Sequence, residues 1–218
     1  MPELAQKQES SPFRRGGSIE NSTLNKIPDG LFLLLTNLKN ASKCFKNTPI
    51  DSIPVMLFSD TIRLERIIET FSLCKNITSI AAGTFKYNNN IIDFSRCFSE
   101  CTKLKTIPEE LFRNITIPSD PTECFIKCTS LLNVPDLVFP KMTRTAYGIF
   151  NGCTSLRTVS LNAFSGCANI STFDYAFANT QSLNYIGDVF DNCNSVKSFN
   201  STFYKSGISS VSANLSLD

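Results

Sequence analysis

The nine cysteines of this 218-residue chain are the first residues that invite a chemical reading. Cys97 with Cys101, and Cys124 with Cys128, form two Cys-x3-Cys pairs, and paired thiols at short spacing suggest structural zinc. Such a site needs four thiolates converging on one tetrahedron. Disulfides are the other possibility, although an odd number of cysteines favours reduced thiols. Histidine is absent, which removes the commonest general base and the commonest metal ligand. There is no Gly-rich phosphate loop and no Gly-x-Ser-x-Gly elbow. The acidic pair Glu109-Glu110 follows Pro108, where a solvated turn is the ordinary explanation. Sequons such as those at Asn76, Asn114 and Asn200 arise from an Asn- and Ser-rich composition. The expectation is a non-enzymatic chain without catalytic, cofactor or metal site.

The elements that position these cysteines follow from an internal repeat. Phenylalanines fall at 32, 45, 58, 71, 85, 98, 112, 125, 139, 150, 164, 177, 190 and 203, at steps of 13 or 14 with a single step of 11. Two half-repeats alternate. One reads Phe-x-x-Cys with aliphatic residues three and six further on, as in Phe98, Cys101, Leu104 and Ile107, or Phe150, Cys153, Leu156 and Val159. The other opens at an Ile-Pro junction and runs to the next Phe, as in Ile53-Pro-Val-Met-Leu-Phe58 and Ile107-Pro-Glu-Glu-Leu-Phe112. Each cysteine then has a place in the repeat. Cys74, Cys101, Cys128 and Cys153 lie three after Phe, while Cys44, Cys97 and Cys124 lie one before it. Thr48 and Thr180 stand in for Cys in the first of these columns, a replacement that a metal ligand would not tolerate. Small thiols packed inside each turn are therefore expected.

An aliphatic-x-x-aliphatic pair is too short to stand alone as a strand or an amphipathic helix. Stacked at the strand-to-strand distance of about 4.8 Å, equivalent residues form continuous ladders. Pro after the aliphatic residue ends each short extended piece, and the following Leu-Phe is spaced like one turn of helix. The predicted fold is an α/β repeat solenoid of about seven coils of 26–27 residues, each with short strands and a helical or 3-10 turn. Distorted half-coils are expected near 115–121 and 140–147, as a kink or as a local binding feature.

The phrases Ile149-Phe-Asn-Gly-Cys-Thr-Ser-Leu156, Ala163-Phe-Ser-Gly-Cys-Ala-Asn-Ile170 and Val189-Phe-Asp-Asn-Cys-Asn-Ser-Val196 resemble BspA-type leucine-rich repeats, and the pattern holds over residues 24–211. The resemblance implies a right-handed leucine-rich solenoid. It also implies a role in adhesion, attachment, or protein or glycan binding, on a bacterial or protist surface or on a phage particle. The alternative is a structural component of a larger assembly, such as a virion decoration or fibre protein. The family motif is a fold motif and names no site residue.

The net charge of +2 is too small to suggest nucleic-acid binding through bulk electrostatics. The longest apolar run, Leu31 to Leu35, is too short to span a membrane. The start, Met1 to Ser18, lacks the apolar core of a signal peptide. Residues 1–23 read as a polar arm, flexible or anchoring, ahead of a solenoid over 24–218 that closes on a capping strand near Ser209 to Asp218. Any partner, whether protein, glycan or neighbouring subunit, is expected on the outward positions between the paired aliphatics. These hold Thr78, Ser79, Lys105, Thr106, Leu132, Asn133, Arg157, Thr158, Asn184 and Tyr185. Lys105, Arg157, Asn184 and Tyr185 are the candidate binding residues, since Arg and Tyr are the types most often found at interface hot spots.

Overall fold

The computed structural model describes residues 18–115, 117–139 and 144–211. Each coil passes through a rung on a first ladder, a run of turns around a Cys-side Phe, a rung on a second ladder, and turns around a Pro-side Phe. On the first ladder Asn40 pairs with Arg66, Arg66 with Asp93, Asp93 with Asp120, and Thr172 with Ser198, all parallel. On the second, Ser79 pairs with Thr106. Strand β1 (Asn133–Val134) pairs with β2 (Thr158–Val159), and β3 (Tyr185–Ile186) pairs with β4 (Ser210–Val211), again parallel. The strands stay this short because only the flanking aliphatics turn inward, such as Leu104 and Ile107, both buried.

The helical or 3-10 turn predicted from the Leu-Phe spacing of the Pro-side half-coil does not form, and the Cys-side turns are not helical either. Among the described residues there is no helix. A helix would keep its N–H groups inside one coil. Here they alternate. The Cys97, Ser99 and Cys101 N–H groups donate back to Phe94, Arg96 and Phe98 (3.1, 3.1 and 3.2 Å), closing overlapping β-turns. The Arg96, Phe98 and Glu100 N–H groups donate instead to Thr122, Cys124 and Ile126 of the next coil (2.9, 2.9 and 2.8 Å). Arg96 and Glu100 have φ of 54° and 59°, and the same two positions recur as Lys43 and Asn47, Glu69 and Leu73, Glu123 and Lys127. Type II turns require positive φ at their third residue. An L-residue held there costs roughly 1 kcal/mol or more, and it persists because the next coil fixes both of its neighbours. The Pro-side turns are simpler, with Leu31, Leu57 and Leu111 donating to Pro28, Pro54 and Pro108.

Side chains start each Cys-side run. The Asp93 and Asp120 carboxylates accept from the Ser95 and Thr122 N–H groups (3.0 and 2.9 Å), and Thr145 and Thr172 hydroxyls accept from Tyr147 and Asp174 (both 2.9 Å). These are Asx- and ST-turns that recur at one register position of the repeat, except at Arg66, where the Ile68 N–H donates to Ser42 Oγ of the preceding coil at 3.1 Å.

Phenylalanines fill the interior as two adjoining columns. Phe45, Phe71, Phe98 and Phe125 stack at 5.4, 5.4 and 5.5 Å with rings within 10° of parallel. Phe58, Phe85 and Phe112 stack at 5.3 and 5.6 Å. The columns touch edge to face, as at Phe58 and Phe71, the offset and T-shaped geometries that aromatic quadrupoles favour. Where the beat falters the stack still closes. Phe94 lies 4.3 Å from Phe112 and 6.4 Å from Phe139. Asp120 keeps its rung with Asp93, and the Ala146 N–H reaches Thr172 at 2.9 Å. Residues 116 and 140–143 of those segments lie outside the described residues.

The hydrogen-bonded stack begins earlier than residue 24. Ile19 and Asn21 donate to Cys44 and Lys46 (3.2 and 2.9 Å), and the Asn47 amide donates to Asn21 Oδ1 at 2.8 Å. Residues 18–22, assigned by sequence to the polar arm, are thus laid on the first full coil; residues 1–17 lie outside the described residues. At the other end Ser209 to Val211 of the expected capping strand are described, with Ser210 and Val211 paired to β3.

Candidate functional site

The interior accounts for the cysteines. All nine are buried and unpaired by disulfides, and no group of three His, Cys, Asp or Glu among the described residues could hold a metal. Cys74, Cys101, Cys128 and Cys153 each donate Sγ–H to the carbonyl of the Phe one coil back: Phe45, Phe71, Phe98 and Phe125, at 3.0, 3.2, 3.1 and 3.1 Å. The thiol is thus a small donor for a buried carbonyl. That explains the threonines in the same column. Thr48 and Thr180 hydroxyls donate to Phe45 and Phe177, both at 2.7 Å. On the Pro side Asn88 performs the same service for Phe58 and Thr61 (3.1 and 2.9 Å). Burial pushes these thiols up, to about 11 at Cys193 and well above the usual range at Cys44, Cys97, Cys101, Cys124 and Cys128. A nucleophilic thiol needs the opposite shift.

Two outer faces remain. The outer face of the Cys-side turns carries charges of alternating sign on successive coils: Lys43, Glu69, Arg96, Glu123 in one column and Glu100, Lys127 in the next. They pair across coils: Lys46 with Glu69, Arg96 Nε with Glu123 at 2.5 Å, and Lys127 with Glu100 at 3.6 Å. Partial burial raises the Glu69 carboxyl, but the Lys46 hydrogen bond and the charges of Lys46, Lys43 and Arg96 outweigh it and hold the group below the usual range. Together these side chains line a shallow depression of about 350 Å³. Sequence reading missed this network, although the alternation is visible in the residue two before each Cys-side Phe. The first ladder is similar, with Lys39 on Glu65 at 2.8 Å and Arg66 on Glu65 at 3.7 Å.

The second ladder differs. Lys105, Arg157, Asn184 and Tyr185 all lie on its outer face and all are exposed, Tyr185 by 57%. Backbone bonds run along this face in two stretches, Lys105 donating to Thr78 (3.0 Å), Leu132 to Lys105 (3.1 Å) and Arg157 to Leu132 (2.9 Å), then Ser209 to Asn184 (3.3 Å), with Tyr185 in the adjoining column in register with Ser210. Lys105 and Arg157 have no carboxylate within 4 Å among the described residues. Leu132 and Leu161, 39% and 60% exposed, add apolar surface. Gly187 lies against Leu161 and Tyr185: a Cβ there would stand 2.7 Å from Leu161 Cδ2 and 3.6 Å from the Tyr185 ring.

No protein-family description matches the chain, and no curated protein matches it. Solved structures do. The plant peptide hormone receptor RGFR1 in complex with RGF2 is 14% identical over 80% of this chain and 30% of its own, with a TM-score of 0.39. The leucine-rich repeat domain of the type III effector XopL is 14% identical over 94% of this chain and 72% of its own, at 0.35. A leucine-rich repeat protein from Bacteroides ovatus is 16% identical over 91% of this chain and 72% of its own, at 0.27. The chain spans less than a third of the receptor's length. These overlaps are loose. The solenoid stands on the chain's own ladders and Phe columns.

Proposed function

We propose that this chain is a leucine-rich-repeat scaffold that binds a protein through the outer face of its second ladder, without catalysis. The observation that carries the reading is a contrast between two faces: on the Cys-side turns Lys46, Arg96 and Lys127 meet carboxylates across coils, whereas on the second ladder Lys105 and Arg157 meet none among the described residues. Their charge remains available to a partner, beside an exposed Tyr and two exposed Leu. That combination of cation and aromatic anchors is typical of interface centres. The resemblance to BspA-type repeats supports a setting of attachment at a cell or particle surface. The neighbouring structure of a receptor in complex with RGF2 shows a protein of related description engaging a peptide partner.

The test is a display library of protein fragments selected against the full chain, with each binder re-measured on a Lys105→Ala/Arg157→Ala/Tyr185→Ala variant. Most binders should lose at least tenfold in affinity. Binders indifferent to the triple substitution would move the functional surface elsewhere, and a library that returns none would remove the binding role.

A further inference from the structure

On the Cys side, the joints between described coils repeat one pattern. The N–H of the Phe and that of the residue two after it donate to the next coil. Phe150 and Gly152 donate to Ala176 and Ala178 (2.9 and 2.8 Å), then Phe177 and Asn179 to Thr202 and Tyr204 (3.0 and 2.7 Å). At the last described coil the pattern stops. Phe199, Ser201, Phe203 and Lys205 hold its donor positions at alternate residues, and none of their N–H groups has an acceptor among the described residues. The opposite end carries the counterpart. Ile19 holds the Phe position of the first described coil, donating to Cys44 as Phe45 does to Thr70. The Ser18 and Glu20 carbonyls on either side of it have no donor among the described residues. One end of the stack thus presents donors and the other acceptors.

Side chains match as well. Phe177 lies between the rings of Phe150 and Phe203 (5.7 and 6.2 Å), whereas Phe203 is the last described ring of that column. Phe199 beside it is 38% exposed, and Ile19 at the other end is only partly buried. Residues two after the Phe touch across joints: Asn47 on Asn21 at 2.8 Å, Lys127 on Glu100 at 3.6 Å, Asn179 on Asn151 at 2.9 Å. Lys205 is the last described member of that column, and it is exposed. A row of unpaired backbone donors at the end of a stack is a template for another chain. An ordinary strand does not fit this one. The acceptors at each joint belong to overlapping turns, with positive φ before and after the Phe, as at Tyr175 and Asn179 (57° and 59°). The first described coil has that geometry, with Asn21 at 58°.

We infer that the chain associates head to tail with a second copy of itself, the Phe203 coil of one copy docking on the Ile19 coil of the next. The Phe203 N–H donates to the second copy's Ser18 carbonyl and the Lys205 N–H to its Glu20 carbonyl, in the register of the internal joints. Phe203 rests on Ile19, Lys205 lies beside Asn21, and the opposite charges of Lys205 and Glu20 flank the contact. The two surfaces differ, so the contact does not close on itself and copies add at both ends. The outer face of the second ladder stays uncovered, and each added copy repeats it.

The test is light scattering on the full chain from low micromolar to near-millimolar concentration. The weight-average mass should rise past that of a dimer without a plateau. Phe199→Asp places a carboxylate on the donor end and Ile19→Asp places one on the acceptor end. Each variant alone should stay monomeric, and an equal mixture of the two should form dimers and nothing larger, since each keeps one unaltered end. A parent chain that stays monomeric, or that stops at a dimer, overturns the inference. So does a variant that still grows. Slow exchange of the Phe203 and Lys205 amides in a monomer means that the edge is covered from within the chain, and overturns it too. A cross-link keeps the test decisive where those variants do not fold. All nine native thiols are buried, so oxidation of the Asn21→Cys/Lys205→Cys double variant reports on the two ends. A ladder of multimers on a non-reducing gel is expected from it, and at most dimers from either single variant. Equal patterns from the double and the single variants overturn the head-to-tail contact.

Discussion

The Cys-side turns and the second ladder are built from the same repeat, yet they treat polar groups in opposite ways. In the turns every kind of group is matched across coils. Backbone N–H groups of alternate residues reach the next coil, thiols reach the Phe carbonyl one coil back, and Lys, Arg and Glu pair on the outside. On the second ladder Lys105 and Arg157 meet no carboxylate among the described residues, and no rung bond links Thr78 to Asp51 or Asn184 to Arg157. Matching makes the turns the region where stability depends on chemistry. The unmatched face can change without cost to the fold, and so it is free to bind.

The largest effect that would test this division is alkaline. The raised thiols stay protonated in the folded chain when their unfolded counterparts, near 9, ionise. Folding therefore binds the extra protons. The stability from this source is complete below pH 9 and is lost as pH rises, at up to about 1.4 kcal/mol per pH unit for each thiol. With five thiols strongly shifted, denaturant midpoints measured from pH 7 to 10 should be flat to about 8.5 and then collapse. A midpoint unchanged at pH 10 would contradict the buried thiol column.

Next in size is the aromatic spine. Phe98→Ala empties a fully buried site between Phe71 and Phe125 and should cost about 3–5 kcal/mol by urea denaturation. The thiol column is gentler and more discriminating. Cys101→Thr keeps a buried donor, directed as at Thr48 and Thr180 to the Phe carbonyl of its own turn, and should stay close to the parent. Cys101→Val removes the donor and should cost about 1–2 kcal/mol. Equal losses for the two would mean that the Sγ–H bonds contribute nothing.

Acid probes the outer charges. Glu69 titrates below its ordinary value near 4.5 in the folded chain, so its contribution is present above that value and fades as pH falls through the lower folded one. Asp174 behaves alike: burial raises it, but hydroxyls of Ser198 and Thr172 and the Asn200 N–H hold it down. The combined loss between pH 5 and 3 should be smaller than the alkaline one, because solvent screens both groups, and Glu69→Gln should flatten part of it.

How much of this could be read from residues alone differs between the two regions. The Phe beat revealed the coil, because an apolar ring every half-coil has one physical use. The cysteines were placed as core thiols by their exchange with Thr, but their hydrogen bonds depend on which carbonyls the backbone leaves free. That follows from the turn geometry, which residue type concealed. Lys43, Glu69, Arg96 and Glu123 are ordinary helix-tolerant residues, and nothing in them announces positive φ. The helical turn expected from Leu-Phe spacing lay on the Pro side, where the chain instead makes separate turns closed by Leu N–H groups on Pro carbonyls. Lys105, Arg157, Asn184 and Tyr185 were placed together by register, and they do share a face. The absent bond between Asn184 and Arg157 had a trace, the span from Ile186 to Phe190 being one residue shorter than that from Ile107 to Phe112, but a single deletion does not say which hydrogen bond is lost.

The smallest expected stability effect sharpens the comparison most. Arg157→Ala and Tyr185→Ala remove exposed side chains, and Arg157 has no ion pair to lose. Each should move the urea midpoint by less than about 0.5 kcal/mol, whereas Arg96→Ala, which breaks a cross-coil pair with Glu123, should cost up to about 1 kcal/mol. A double-mutant cycle separates the cases: Arg96 with Glu123 should couple, and Arg157 with Asp188, the acidic residue following Gly187, should not. Coupling at Arg157 comparable to that at Arg96 would show its charge already used inside the fold. Additivity there would leave the guanidinium free for a partner's carboxylate, and a difference between the two faces that stability measurements alone can detect.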